Sequence, residues 1–204
     1  VAQEELGADS DYMPRAYGRL GNVERALGAL EAAQQHYQLA VRLSEERYPL
    51  DDVRRHAPVN NLAMVLAERG DMAGAEVLHR SVLADRERVL GEDHPSTAVS
   101  LTNLATVLSA NGELDEARSL TQRALEIYQK KAGANSAETG QAHHQLGEIL
   151  RRMNRVNESI PHLERALHVF RGAVGDLHAT TLQCMDVLAE ALGRFWGKSS
   201  GDVS

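Results

Sequence analysis

One cysteine, Cys184, stands in the whole chain, so no internal disulfide can form and a small disulfide-stapled scaffold is excluded. A lone thiol within an apolar, helix-forming stretch reads as a small packing residue rather than a nucleophile. Aromatic residues make up 4% and prolines number five, and the Val/Ile/Tyr alternation of strands is missing. The uncharged apolar runs fall short of the ~20 residues a membrane span needs, so no membrane partner is expected. An excess of positive charge is also lacking: the formal charge is −7, which argues against a general nucleic-acid binder, because phosphate contacts need clustered Lys and Arg. No charged-then-apolar signal segment and no initiator Met open the chain. This predicts an excerpt or a processed product, with the cytoplasm as the expected compartment.

Chemistry-bearing motifs are equally scarce. Nine histidines are present, but none forms His-Glu-x-x-His or a Cys/His ligand spacing, and adjacent His143 and His144 must point to different helix faces. "GRLGNVERALG" lacks the preceding strand and the glycine spacing of a phosphate cradle. No catalytic residue, cofactor or metal is therefore expected.

What the chain does contain is a repeat. "VNNLAMVLAERGDMAGA" at Val59 to Ala75 returns as "LTNLATVLSANGELDEA" at Leu101 to Ala117, displaced by 42 residues. Another step of 42 from Leu104 reaches Leu146, with Gly147, Leu150, Asn154, Ser159, Ala166 and Leu167 in register. A step back from Leu62 reaches Leu20, with Gly21, Gly28, Ala33, Tyr37 and Ala40, and a last step forward reaches Leu188, Ala189 and Leu192. A fixed period of this length signals a stacked array, here four units and a final half unit.

Within each unit the apolar residues recur at i, i+3, i+4 and i+7 in two blocks, which predicts two helices, A and B. Gly28, Gly70, Gly112 and Asn154 fill the break between them, the residue types that most cheaply adopt the left-handed conformation beyond a helix C-terminus. Small residues on helix A (Gly21, Ala63, Ala105, Gly147, Ala189) and helix B (Ala33, Ala75, Ala117, Ser159) predict close approach of each pair. Between units, "LGEDHPSTA" closes a helix at Gly91 and opens the next near Pro95, and Gly133 and Gly175 share the Gly91 slot; "RYPLDD" replaces it between the first two units. The expected organisation is an N-terminal tail over 1–9, an array over 10–196 (10–50, 51–91, 92–133, 134–175 and a half unit 176–196), and a C-terminal tail over 197–204. The terminal helix is expected near His178 to Trp196.

This succession of small-x-x-Leu-Gly/Ala, Gly, Ala and Ala-Leu resembles the tetratricopeptide repeat, lengthened from its usual ~34 residues. With "NNLA", "GEDHP" and "RALEIYQKKAG" it resembles the 42-residue repeat of kinesin light chains. The heptad coiled coil of a full kinesin light chain is absent from these residues. The resemblance implies an all-α, right-handed α-α superhelix of four helix pairs plus a terminal helix. It also implies a protein-binding adaptor or scaffold rather than an enzyme, since stacked repeats bind more often than they catalyse.

It further implies that helix A residues around the signature leucine face a peptide in a concave groove. In the first unit these include Arg15, Arg19, Asn22 and Arg25; in the second, Asn60, Asn61, Met64 and Glu68; in the third, Thr102, Asn103, Thr106 and Ser109. The fourth gives Gln141, His144, Gln145, Glu148, Arg151 and Arg152, and the half unit Gln183, Asp186, Glu190 and Arg194. Six arginines against four carboxylates make this set more positive than the chain, which favours an acidic or C-terminal carboxylate ligand. Asn61 and Asn103 precede the signature leucine, where an amide that donates and accepts can pair with an extended backbone; solvation, or a tie between helices, would use the same amide. Arg15 and Arg19 stand four apart on one face and could grip one carboxylate, or form an exposed charged face. The expected function is a non-enzymatic module that binds an extended acidic peptide. The second reading is a regulatory or sensor domain of a larger protein with intramolecular contacts. Leu182, Met185, Leu188, Leu192, Phe195 and Trp196 lack a following B helix, which leaves an apolar face for self-association.

Overall fold

The computed structural model describes residues 12–199, with side chains through Phe195. Among these residues all regular structure is helical, and the chain divides into two compact units between Glu92 and Asp93. The predicted N-terminal tail lies outside the described residues.

The first unit contains α1 (Tyr12–Ala26), α2 (Leu30–Arg47), a short 3-10 turn (Val53–Arg55), α3 (His56–Glu68) and α4 (Met72–Leu90). Packing joins α1 to α2, α2 to α3 and α3 to α4, the sequence of contacts expected of consecutive A/B pairs. Gly21 shows why the A-helix slot is small: a Cβ there would lie 2.6 Å from the Tyr37 ring. Tyr37 itself is fully buried and forms a core with Ala33 and Val65, flanked by Leu30 and Leu62. The Asp71 carboxylate caps α4 by accepting from the Gly74 N–H at 2.9 Å, satisfying one of the donors a helix start leaves open.

The second unit contains α5 (Pro95–Asn111), α6 (Leu114–Lys131), α7 (Ala137–Arg152), α8 (Val156–Val174) and α9 (Ala179–Ser199). Pro95 occupies the first turn of α5, and the His94 ring caps it by accepting from the Ser96 N–H at 3.1 Å. The predicted A-to-B break is present in both units, with φ of 78° at Gly28, 91° at Gly70, 89° at Gly112 and 61° at Asn154. Asn154 is the one non-glycine residue with positive φ among the described residues, in keeping with asparagine's tolerance of that region. Within the second unit the linkers between successive helix pairs also repeat their chemistry: Thr139 Oγ1 donates to the Gly133 carbonyl and Thr181 Oγ1 to the Gly175 carbonyl, each at 2.8 Å.

Packing in the second unit runs α5 on α6, α6 on α7, α7 on α8 and α8 on α9. A Cβ on Gly147 would meet Leu163 at 2.7 Å, so α7 and α8 approach as closely as their residues permit. Leu163 is fully buried with Val156 and Ala191; Ala166, Leu167, Phe170 and Cys184 form an adjoining cluster. Cys184 is thus a core residue, and burial pushes its thiol up to about 11, which removes the thiolate needed for reactivity at neutral pH. Of the expected bare face on α9, Leu182 is 44% exposed, whereas Met185, Leu188 and Phe195 pack partly on α8-side clusters. The Trp196 side chain lies outside the described set. Helix α9 runs to Ser199, past the predicted end at Trp196 and through Gly197.

Candidate functional site

In the first unit a cavity of about 380 Å³ lies against α1 and α3, lined by Pro14, Arg15, Gly18, Arg19, Asn22, Tyr48, Arg54, Ala57, Pro58 and Asn61. Four of the predicted site residues, Arg15, Arg19, Asn22 and Asn61, are brought together here. Arg15 and Arg19 are exposed and engage no partner among the described residues. Asn22 is oriented from below. Burial pushes the Tyr37 phenol up from its ordinary value, so it keeps its proton and donates it to Asn22 Oδ1 at 2.8 Å. With its carbonyl end engaged, the Asn22 amide has only its NH2 group to offer a ligand. No carboxylate lines the cavity.

Tyr48 and Arg54 enter this lining from the α2–α3 connection, the "RYPLDD" segment that departs from the linker pattern and its continuation. The Arg54 guanidinium lies 4.1 Å from the Tyr48 ring centroid and 2.6 Å from Asp52, so the loop is held by a cation–π contact and an ion pair. The departure from "GEDHP" was the available signal for these two residues. It marked the loop as different without showing that the loop turns toward α1.

The second unit has a larger groove, about 480 Å³, on α5, α7 and α9. Its lining includes Thr102, Asn103, Thr106, Ser109, Gln141, His144, Gln145, Glu148, Arg152, Thr180 and Gln183. Here the predicted Thr102, Asn103, Thr106, His144, Gln145 and Arg152 converge. The Gln145 NH2 group donates to the Thr102 carbonyl at 3.0 Å and to Thr106 Oγ1 at 2.8 Å. Arg152 Nη1 donates to Ser109 Oγ at 2.6 Å. Both donors therefore stitch α7 to α5. Asn103, like Asn61 in the first unit, makes no hydrogen bond among the described residues, so neither amide serves as a tie between helices.

Other predicted residues lie outside these linings: Arg25, Asn60, Met64, Glu68, Arg151, Asp186, Glu190 and Arg194. Asn60, one residue before the groove slot, is rotated about 100° around α3 and accepts from His79 Nδ1 of α4 at 3.2 Å. Met64 is exposed on α3, and Arg151 pairs with Glu190 of α9 at 3.1 Å. Arg25, which shares the groove register, is instead ion-paired to Glu68 of α3 at 2.7 Å.

His143 and His144 diverge by about 100° around α7, each meeting a different part of α8. His143 Nδ1 shares a hydrogen bond with His162 Nδ1 of α8 at 2.9 Å, while His144 lines the groove with its ring 6.2 Å from that of Phe170. Burial lowers His143 to about 4 and lowers His144 and His162 below the ordinary value, so all three are neutral at pH 7. Among the described residues no three His, Cys, Asp or Glu side chains are grouped to hold a metal, and no helix is long and apolar enough to cross a membrane.

Comparison with known proteins agrees with this geometry. A tetratricopeptide repeat family model matches residues 55–130 and 138–199, and a second one matches residues 14–47. No curated protein matches the chain. Among solved structures, a putative kinesin light chain from Podosopora anserina, built of nearly identical TPR-like repeats, aligns at 22% identity with a TM-score of 0.76. That alignment covers 91% of this chain and 88% of the other. BtubC (BKLC) from P. vanneervenii aligns at 24% identity and TM-score 0.71 over 82% of this chain and 66% of its own. The apo form of RapI aligns at 16% and 0.76 over 90% and 64%. At these identities the likeness is one of fold. With most of its length matched by the family models, the chain belongs to the tetratricopeptide repeat family, an all-helical fold of protein-interaction modules.

Proposed function

We propose that the helix-A grooves bind an extended peptide segment, and that the first unit's groove takes its acidic group. The observation that carries this reading is the lining of the first-unit cavity: Arg15, Arg19 and the NH2 end of Asn22 converge there as donors, with no carboxylate among them. Arg54 adds positive potential although Asp52 engages it. A side-chain or C-terminal carboxylate satisfies two guanidinium forks one helical turn apart, while the unengaged Asn61 amide pairs with the peptide backbone beside it. In the second unit the unengaged Asn103 amide offers the same backbone pairing within its own groove. No step of chemistry is assigned to either groove.

Fluorescence anisotropy with a labelled acidic peptide and its glutamine counterpart tests this. Arg15→Ala with Arg19→Ala is expected to weaken the acidic peptide about tenfold at low salt and to flatten its salt dependence. Asn61→Ala is expected to lower affinity by a hydrogen bond's worth, about 0.5–1.5 kcal/mol, without altering the salt slope. Equal binding of the acidic and glutamine peptides, or an unchanged affinity in the double arginine variant, defeats the reading.

A further inference from the structure

The second unit's groove offers acceptors that the first lacks, and this follows from which ends of its side chains are already engaged. Gln145 has both amide hydrogens turned away, to the Thr102 carbonyl and Thr106 Oγ1, so Oε1 is the end it can present. Arg152 is turned to Ser109 Oγ. Glu148, one turn after His144 on α7, lines the groove and has no hydrogen-bond or ion-pair partner among the described residues. An unpaired carboxylate beside an unpaired carbonyl is a local negative spot in a lining whose other charge, the Arg152 cation one turn further along α7, is turned to a neutral hydroxyl.

His144 supplies an independent sign of a missing partner. The side chain is 7% exposed, it lines this same groove, and its Nε2 is buried with no hydrogen-bond partner. A buried imidazole nitrogen left unsatisfied is costly and is normally found paired. Burial holds the ring in its neutral form against the nearby Glu148, so it retains a lone pair for a donor.

We propose that the second-unit groove binds the cationic side chain of a lysine or arginine in a peptide, with Glu148 as counter-charge and Gln145 Oε1 and His144 as acceptors. The proposal rests on the peptide-binding reading above and adds to it a residue class that an acidic ligand does not contain. An ammonium or guanidinium carries three or five donors and no acceptor, which matches the acceptors that Glu148, Gln145 Oε1 and His144 leave open.

The test uses short Gly/Ser peptides that differ only at the central residue: lysine, arginine, norleucine or glutamate. Binding to the full chain is followed by the backbone amide NMR signals of both grooves. Lysine and arginine peptides are expected to shift signals around Gln145 and Glu148 and to bind about tenfold more tightly than norleucine, which keeps the methylene stem without the charge. Glu148→Gln should abolish that preference, and Glu148→Asp should retain part of it. Because Glu148 is only half-buried, both variants should fold, and their melting temperatures serve as the control. Norleucine binding as tightly as lysine, or a preference that survives Glu148→Gln, overturns the proposal. If the glutamate peptide binds through Arg15 and Arg19 while lysine and arginine shift nothing in the second groove, the cationic site alone is wrong. If no peptide shifts either groove, the peptide-binding reading falls with it.

Discussion

The two units are built from the same 42-residue repeat, yet their grooves present opposite ends of similar side chains. In the first, Tyr37 holds the carbonyl end of Asn22, and two arginines stand free beside its NH2 group. In the second, Thr102 and Thr106 hold the NH2 end of Gln145, Ser109 holds Arg152, and a carboxylate stands free. Residue inventory alone gives three arginines and no carboxylate in the first lining, and one arginine and one glutamate in the second. What a ligand meets is the remainder after each donor and acceptor has been assigned its internal partner: free cations without a carboxylate in the first groove, and a free carboxylate beside a cation turned to a hydroxyl in the second.

The largest expected contrast between the units comes with acid. Each buried histidine has a folded-state pKa below its unfolded value near 6.5, so the folded state binds fewer protons. Its stability is complete above about pH 6.5 and falls as the pH drops through the folded value, which is about 4 for both His79 in the first unit and His143 in the second. Each such group can cost up to about 3 kcal/mol once the pH is below both values. His56 accompanies His79, while His143 is joined by His144 and His162, with the 2.9 Å contact to His162 surviving only while at least one ring is neutral. Amide hydrogen exchange followed down to pH 4 should therefore open the second unit first. Earlier opening of the first unit would show that burial at His79 outweighs the two-imidazole contact.

Next in size are substitutions that force each helix pair apart. Gly21→Ala places a methyl 2.6 Å from the Tyr37 ring, and Gly147→Ala places one 2.7 Å from Leu163. Overpacking of this kind costs about 1–3 kcal/mol. The rigid ring and the more flexible leucine should respond differently. Moving Tyr37 also breaks its bond to Asn22, so Gly21→Ala should lower both the melting temperature and acidic-peptide affinity. Gly147→Ala should lower stability while leaving the acidic peptide's affinity unchanged. Equal loss of acidic-peptide binding in both variants would remove the special role given to Tyr37.

Much of the fold was legible because local rules and the repeat agree. The positive-φ slot at Gly28, Gly70, Gly112 and Asn154 and the small-residue slot at Gly21 and Gly147 stand where the period puts them. The groove register was legible for the same reason, since Arg15, Arg19, Asn61, Asn103 and Gln145 all reach cavity linings. Side-chain partners were not. Gln145 with Thr102, Arg152 with Ser109 and Arg25 with Glu68 each join residues 43 apart, one repeat plus one residue, and depend on how neighbouring A helices are rotated. The period fixes which residues share a face but not which atoms meet. Asn60 shows the limit: a single position from Asn61, it turns to His79 instead of the groove.

A subtler change to the first unit is Tyr37→Phe, which removes the hydroxyl and leaves the ring in its core. The loss of one hydrogen bond is expected to cost about 1 kcal/mol of stability. Freed from Tyr37, the Asn22 amide can turn its carbonyl toward the cavity, so acidic-peptide affinity should fall about threefold, within the range of one neutral hydrogen bond. The lysine peptide at the second groove should be unaffected. A weakening of both would point to a general loosening of the array and not to the orientation of one amide.

The smallest expected effect is also the most specific, because it alters orientation without adding or removing charge. Thr106 is exposed on α5, and its hydroxyl accepts one of the two amide hydrogens of Gln145 while donating to the Thr102 carbonyl at 2.9 Å. Thr106→Val keeps the side-chain shape and removes that acceptor. Gln145 retains its bond to the Thr102 carbonyl, so stability should change by no more than about 0.5 kcal/mol, as is usual for an exposed position. One amide hydrogen then becomes available to the groove, and the amide is less firmly held with Oε1 outward. Affinity for the lysine peptide should fall about twofold, and discrimination against the glutamate peptide at this groove should narrow by a similar factor. Glu148 still supplies the counter-charge, so the lysine preference should persist, unlike in Glu148→Gln. An unchanged lysine affinity would assign the second groove's polarity to Glu148 alone and leave Gln145 a tie between α7 and α5.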